Sequence, residues 1–76
     1  MAKVTVYSKN NCMQCKMTKR FLSEHNVSFE EININEQPQY IDYLKEKGFQ
    51  SLPVIEAEGQ PVISGFQPQM LSKIAS

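Results

Sequence analysis

Seventy-six residues suffice for one domain, near the lower size limit for a self-sufficient core. Eight Lys and Arg balance eight Asp and Glu, so no net charge draws the chain toward nucleic acid or a membrane surface. No apolar run reaches transmembrane length and the N-terminus has no charged-then-apolar export pattern, which leads us to expect a cytoplasmic protein. Charge is unevenly spread: residues 1–25 carry Lys3, Lys9, Lys16, Lys19 and Arg20 against Glu24, whereas acids dominate residues 26–58.

Lys3–Tyr7 alternates and is rich in β-branched residues, which predicts a strand. The polar loop Ser8-Lys9-Asn10-Asn11 delivers the chain to Cys12. From Met13 to about His25 there is no Pro or Gly, and Cys15, Thr18, Leu22 and His25 share one helical stripe that Phe21 widens. Asn26 stops this helix. Ser28–Ile34 reads as a second strand, partly covered on both faces. Asn35 is the expected cap of a second helix whose first turn accepts Pro38, whose apolar side is Tyr40, Ile41 and Leu44, and which ends at Gly48. Leu52–Glu56 and Gln60–Ile63 flank Ala57-Glu58-Gly59 as a hairpin, and Pro68 opens a short last helix with Leu71 and Ile74 inward. The order β-α-β-α-β-β-α predicts an α/β protein, a four-stranded mixed sheet flanked by three helices. It is the order of the thioredoxin fold in its smallest form, expected as a single domain over residues 1–76.

The two cysteines of the chain, Cys12 and Cys15, stand at the head of the first helix. A three-residue helical offset sets Cα atoms roughly 5–6 Å apart, a span a disulfide bridges without strain. Such a bridge closes a ring too small to add much stability, so reversible redox chemistry is the better reason for the pair. The unpaired N–H groups at a helix start favour a Cys12 thiolate, with Lys9 and Lys16 acting in the same sense. Cys12, nearer the loop, is then the attacking thiol, and Cys15, one turn in, the resolving one. A structural zinc ion needs four ligands, and two cysteines with one distant His do not supply them.

Other residues have assignable roles. His25, about three turns beyond Cys15, is expected to cap the last helical carbonyls. Thr18 is expected to bond a helix carbonyl, the alternative being a place near the resolving sulfur. Met13 and Gln14, between the thiols, are candidate partner contacts. Lys16, Lys19 and Arg20 form either a solvated face or a patch that steers an acidic partner. Phe66 is expected to be partly exposed beside the site, and Tyr7 to be a packing residue.

With Cys-Met-Gln-Cys, Phe49-Gln50-Ser51-Leu52-Pro53-Val54 and Ser64-Gly65-Phe66-Gln67-Pro68 together, the chain resembles the NrdH-redoxins over its full length. The resemblance implies a cytoplasmic electron donor to the large subunit of class Ib ribonucleotide reductase, re-reduced by thioredoxin reductase. No cofactor is then bound by the redoxin: NADPH and FAD belong to the reductase. A monomer is expected. It also implies Cys12 as nucleophile, Cys15 as resolving thiol and a cis Pro53, with the Leu52 backbone open to an extended peptide. Lys9, Met13, Gln14, Leu52, Pro53, Ser64, Gly65 and Phe66 make up the expected partner-binding set. Where the family often carries Trp and Arg around Ser-Gly-Phe, this chain has Ile63 and Gln67. Glutathione-using relatives carry an acid in that segment and this chain does not, although Lys9 resembles a lysine that meets a glutathione carboxylate. A glutathione-fed glutaredoxin is therefore one alternative, and a dithiol holding a metal at a dimer interface is another.

Overall fold

The β-branched alternation after Lys3 produces the central strand of the sheet. In this computed structural model, which describes residues 3–49 and 51–75, β1 spans Val4–Ser8 and buries Val4 and Val6 on one face and Tyr7 on the other. There follow α1 (Met13–Glu24), β2 (Glu30–Asn33), α2 (Gln39–Glu46), β3 (Val54–Ala57), β4 (Ile63–Ser64) and α3 (Pro68–Ala75). The sheet order is β2-β1-β3-β4. β1 runs parallel to β2, with Val6 opposite Glu31, and antiparallel to β3, with Val6 opposite Ile55; β4 is antiparallel to β3. Element order and mixed pairing are those of the expected minimal thioredoxin fold.

Alternation divides the core in two. Val6, Ile55 and Ile63 pack with Leu22 of α1 and Leu71 of α3, while Tyr7 and Val54 pack with Leu44 of α2. Glu56, half-buried on the α2 side, receives hydrogen bonds from the hydroxyls of Tyr7 (2.8 Å) and Tyr43 (2.7 Å). Burial first, then the Glu56 carboxylate, hold the Tyr7 hydroxyl above its ordinary pKa, so it remains a neutral donor. Tyr7 is thus a packing residue, as expected, with a polar tie to α2.

The element ends differ from the sequence-based expectation at the start of α2 and in every strand. Asn35 does not cap α2: its Oδ1 accepts the Asn10 N–H at 2.7 Å, and the position before Gln39 is occupied by Pro38 without a side-chain cap. Asn33 also donates to Asn10 Oδ1 at 3.0 Å, so the end of β2 holds the loop that carries Cys12. β2 is confined to Glu30–Asn33, because its ladder with β1 begins at Thr5 opposite Glu30. β4 begins at Ile63 rather than Gln60, because the Gln60 N–H closes the turn onto the Ala57 carbonyl and Pro61 has no N–H for a ladder. β3 runs Val54–Ala57 rather than Leu52–Glu56, its ladder with β1 reaching from Val54 opposite Tyr7 to Ala57 opposite Val4, and β1 runs Val4–Ser8 rather than Lys3–Tyr7. The helix C-terminal ends agree: Gly48 follows α2 at φ 86°, and His25 caps α1, donating from Nδ1 to the Phe21 carbonyl at 2.9 Å.

Behind β1, Glu31 accepts from Lys19 Nζ and from buried Ser8 Oγ, each at 2.7 Å. The Lys19 bond first, then that of Ser8, hold the Glu31 carboxyl below its ordinary value of 4.5, against an opposing push from burial. A carboxyl depressed in the fold contributes stability above its unfolded pKa and loses it as the pH falls through the folded one. Both side chains are about one third exposed, which limits the pair to under about 1 kcal/mol. Urea unfolding of Lys19→Met is expected to show a loss of that size at pH 7, with the two proteins converging as the pH drops below 4.5. A deficit that persists unchanged in acid would assign the loss to packing of the lysine stem.

Candidate active site

Cys12 is the N-cap of α1: its backbone is extended (φ −110°, ψ 107°), and its Sγ accepts the Cys15 N–H at 3.2 Å. A sulfur thus occupies the place usually taken by a capping oxygen, facing the orphan donors of the first turn. Asn11 turns the chain into this cap at φ 57°, a left-handed conformation that Asn tolerates better than most residues. Cys12 and Cys15 form a disulfide, with Cα atoms 5.2 Å apart. Cys12 retains 8% of its surface exposed and Cys15 only 1%.

Three segments meet at this bridge. The Leu52–Pro53 peptide bond is cis, and the Leu52 carbonyl oxygen lies 4.0 Å from Cys12 Sγ. The Pro53 carbonyl accepts the Gly65 N–H at 2.8 Å, and Gln14 Oε1 lies 3.8 Å from where a Cβ on Gly65 would sit. The Cys-Met-Gln-Cys turn, the Leu-Pro turn and the Ser-Gly-Phe turn therefore touch in sequence around one edge. Met13 projects outward, 69% exposed, and Gln14 is exposed beside it. Ser64, Gly65 and Phe66 are half-buried, and the Phe66 ring meets Phe21 edge-on at 6.4 Å. Gln67 folds back, its Nε2 donating to the Ser64 carbonyl at 2.6 Å.

Lys9 stands apart from this rim. It lines a groove of about 500 Å³ together with Ile34, Ile41, Leu44, Lys45, Phe49, Ser51 and Leu52. Residues 34, 41, 44 and 45 were not among the expected site residues: their spacing marks them as helix and strand positions, and nothing local shows that they face the Leu52 turn. Gln50 of the Leu-Pro motif lies outside the described residues.

The choice left open for Lys16, Lys19 and Arg20 narrows: Lys19 pairs with Glu31 and Arg20 with Glu24, which leaves Lys16 as the α1 base without an ion pair among the described residues. One expectation is corrected. Thr18 does not bond a helix carbonyl; its Oγ1 is buried with no hydrogen-bond partner among the described residues. Among those residues, no group of three or more His, Cys, Asp or Glu side chains could hold a metal ion, and no helix is long and apolar enough to cross a membrane.

A Cys-x-x-Cys bridge capping the first helix of a thioredoxin fold, beside a cis-proline turn, defines a thiol–disulfide oxidoreductase. Residues 4–62 match the Glutaredoxin family. The chain is 56% identical over 72 residues to the glutaredoxin-like protein NrdH of Lactococcus lactis subsp. lactis (strain IL1403), covering 95% of this chain and 99% of that one. It is 38% identical over 72 residues to the NrdH protein of Escherichia coli (strain K12), covering 95% and 88% of the two chains. The solved structure of the Escherichia coli NrdH-redoxin superposes with a TM-score of 0.89 at 36% identity, over 95% of this chain and 93% of that one. A glutaredoxin from Archaeoglobus fulgidus superposes at 0.77 with 28% identity, over 96% and 85%. The chain belongs to the glutaredoxin family and, within it, to the NrdH-redoxins.

The turn at Gly65 gives a direct test of how the rim is held. Its φ of 82° strains any side-chain-bearing residue, while an added Cβ would meet Gln14 Oε1 only at ordinary contact distance, 3.8 Å. Gly65→Ala is expected to cost about 1 kcal/mol in urea unfolding through backbone conformation alone. A substitution without cost would mean the turn relaxes freely.

Proposed function

We propose that this redoxin carries two electrons on Cys12 and Cys15 to class Ib ribonucleotide reductase in the cytoplasm and recovers them from thioredoxin reductase. The observation that carries the direction of exchange is the pair of exposures, 8% at Cys12 against 1% at Cys15, with the more accessible sulfur at the helix N-terminus. In the reduced protein the Cys12 thiolate attacks one sulfur of the target disulfide, forming a mixed disulfide and expelling the other sulfur as a thiolate. The Cys15 thiolate then attacks Cys12 Sγ, the bond to the target breaks, and the second target thiolate leaves. Two electrons have passed to the target, and the Cys12–Cys15 disulfide has formed. The dithiol of thioredoxin reductase reverses these steps with electrons drawn from NADPH through FAD, so the redoxin itself holds no cofactor.

The Leu52 carbonyl beside Cys12 supports a target segment running along the Leu-Pro turn by strand-like pairing. Met13, Gln14, Ser64, Gly65 and Phe66 form the rim such a segment would touch. Support for the reductase-fed reading is the Ser64–Gln67 turn, which has no carboxylate to receive the amino group of glutathione and whose Gln67 amide is engaged on its own backbone. The thioredoxin-like activity profile described for the Escherichia coli NrdH-redoxin points the same way. A glutathione-fed glutaredoxin is the second reading, favoured by Lys9 in the groove next to Leu52.

NADPH oxidation separates the two. With a protein disulfide as substrate, turnover is expected when thioredoxin reductase supplies electrons and is expected to be at least ~10-fold slower with glutathione and glutathione reductase, because each missing charge-assisted contact weakens tripeptide binding. Faster turnover with glutathione would transfer the protein to the second reading. Cys15→Ser is expected to accumulate a covalent adduct through Cys12, visible on a non-reducing gel and lost with dithiothreitol. Adduct formation by Cys12→Ser instead would exchange the roles of the two cysteines.

A further inference from the structure

Thr18 lies in the middle of α1, completely buried, with Oγ1 lacking a hydrogen-bond partner among the described residues. A helical threonine hydroxyl ordinarily returns to the carbonyl three or four residues back, and this one does not. It shares the buried stripe of α1 with Cys15, three residues earlier. Helical side chains lean toward the N-terminus, so Thr18 covers the turn that carries Cys15.

A second observation bears on the same spot. Cys15 is 1% exposed, so its sulfur has almost no access to water, and the Cys15 N–H is committed to Cys12 Sγ. When the disulfide opens, Cys15 becomes a buried sulfur in need of a donor, beside a buried hydroxyl in need of an acceptor. We propose that Thr18 is a positioning residue for the resolving thiol: its hydroxyl is unpartnered in the disulfide form and donates a hydrogen bond to Cys15 Sγ in the dithiol form. The hydroxyl proton stays on oxygen throughout. The two electrons that open the bridge come from a dithiol reductant, which is itself oxidised to a disulfide. The hydrogen bond stabilises the reduced protein and holds the Cys15 sulfur where it can attack a mixed disulfide on Cys12. The inference rests on exchange at Cys12 and Cys15 and not on the identity of the reductase or the target.

The test is the redox equilibrium of the whole protein with dithiothreitol. Thr18→Val keeps the shape and removes the donor, and is expected to shift the equilibrium about five- to tenfold toward the disulfide, a potential lower by about 20–30 mV at 29.6 mV per tenfold. Thr18→Ser restores the donor and is expected to stay within about twofold of the wild type. In urea, Thr18→Val is expected to stabilise the oxidised form and destabilise the reduced one. An unchanged equilibrium constant, or equal effects on both forms, would overturn the proposal. Should the valine variant not fold, the wild type decides by NMR: slowed exchange of the Thr18 hydroxyl proton in the reduced form alone supports the proposal, and equal exchange in both forms overturns it. Wild-type exchange with dithiothreitol together with silence toward both enzymatic reductants would remove the electron-donor assignment and leave the role of Thr18 standing.

Discussion

The hydrogen bond from the Cys15 N–H to Cys12 Sγ joins the folding problem of this chain to its chemistry. A helix must satisfy the donors of its first turn, and here the acceptor is a sulfur of the redox pair. The same geometry serves both ends: it starts α1 at Met13, and it would set a thiolate at Cys12 against the Cys15 N–H and the positive end of the helix dipole. The cap is held from behind as well. Asn10 bonds Asn33 and Asn35, so the loop that presents Cys12 is tied to the end of the neighbouring strand β2.

Around that fixed sulfur the protein builds a rim from turns that are distant in sequence. Pro53 begins where β3 is about to start, and Gly65 stands just after β4; their mutual hydrogen bond brings the Leu-Pro and Ser-Gly-Phe turns to the same edge. Neither turn could be placed by its own residues, because each is a surface connection whose position follows from the strand it ends or begins. The groove beside Leu52 adds apolar lining from Ile34, Ile41, Leu44 and Phe49 together with Lys9 and Lys45. Its walls come from Ile34 just after β2, from α2 and from the Leu52 turn, and so it exists only once the sheet is assembled.

A chain this short has little core to spare, and it places polar groups inside with partners for nearly all of them. Glu56 answers Tyr7 and Tyr43, and Glu31 answers Ser8 and Lys19. Each pair spans two elements, so the bonds also bind α2 and α1 to the sheet. Against that background Thr18 is the exception among the described residues, buried in the stripe that contains Cys15. An unsatisfied group in such a place carries a cost in one redox state that the other state can remove.

By itself, the order of hydrophobic patterns determined the fold, and the Cys12–Cys15 spacing determined the chemistry. Both are local: alternation marks a strand, and a three-residue offset on a helix sets two thiols at bonding distance whatever surrounds them. The motif resemblance further implied the cis bond at Pro53, which the residues alone could not. What tertiary structure decided were the partners of side chains with several choices. Asn35 serves Asn10 rather than α2, Lys19 is taken up by Glu31, and Thr18 is left with its hydroxyl unpartnered among the described residues. A polar side chain bonds to whichever acceptor the packed elements bring within about 3 Å, and that choice is made across the chain, not along it.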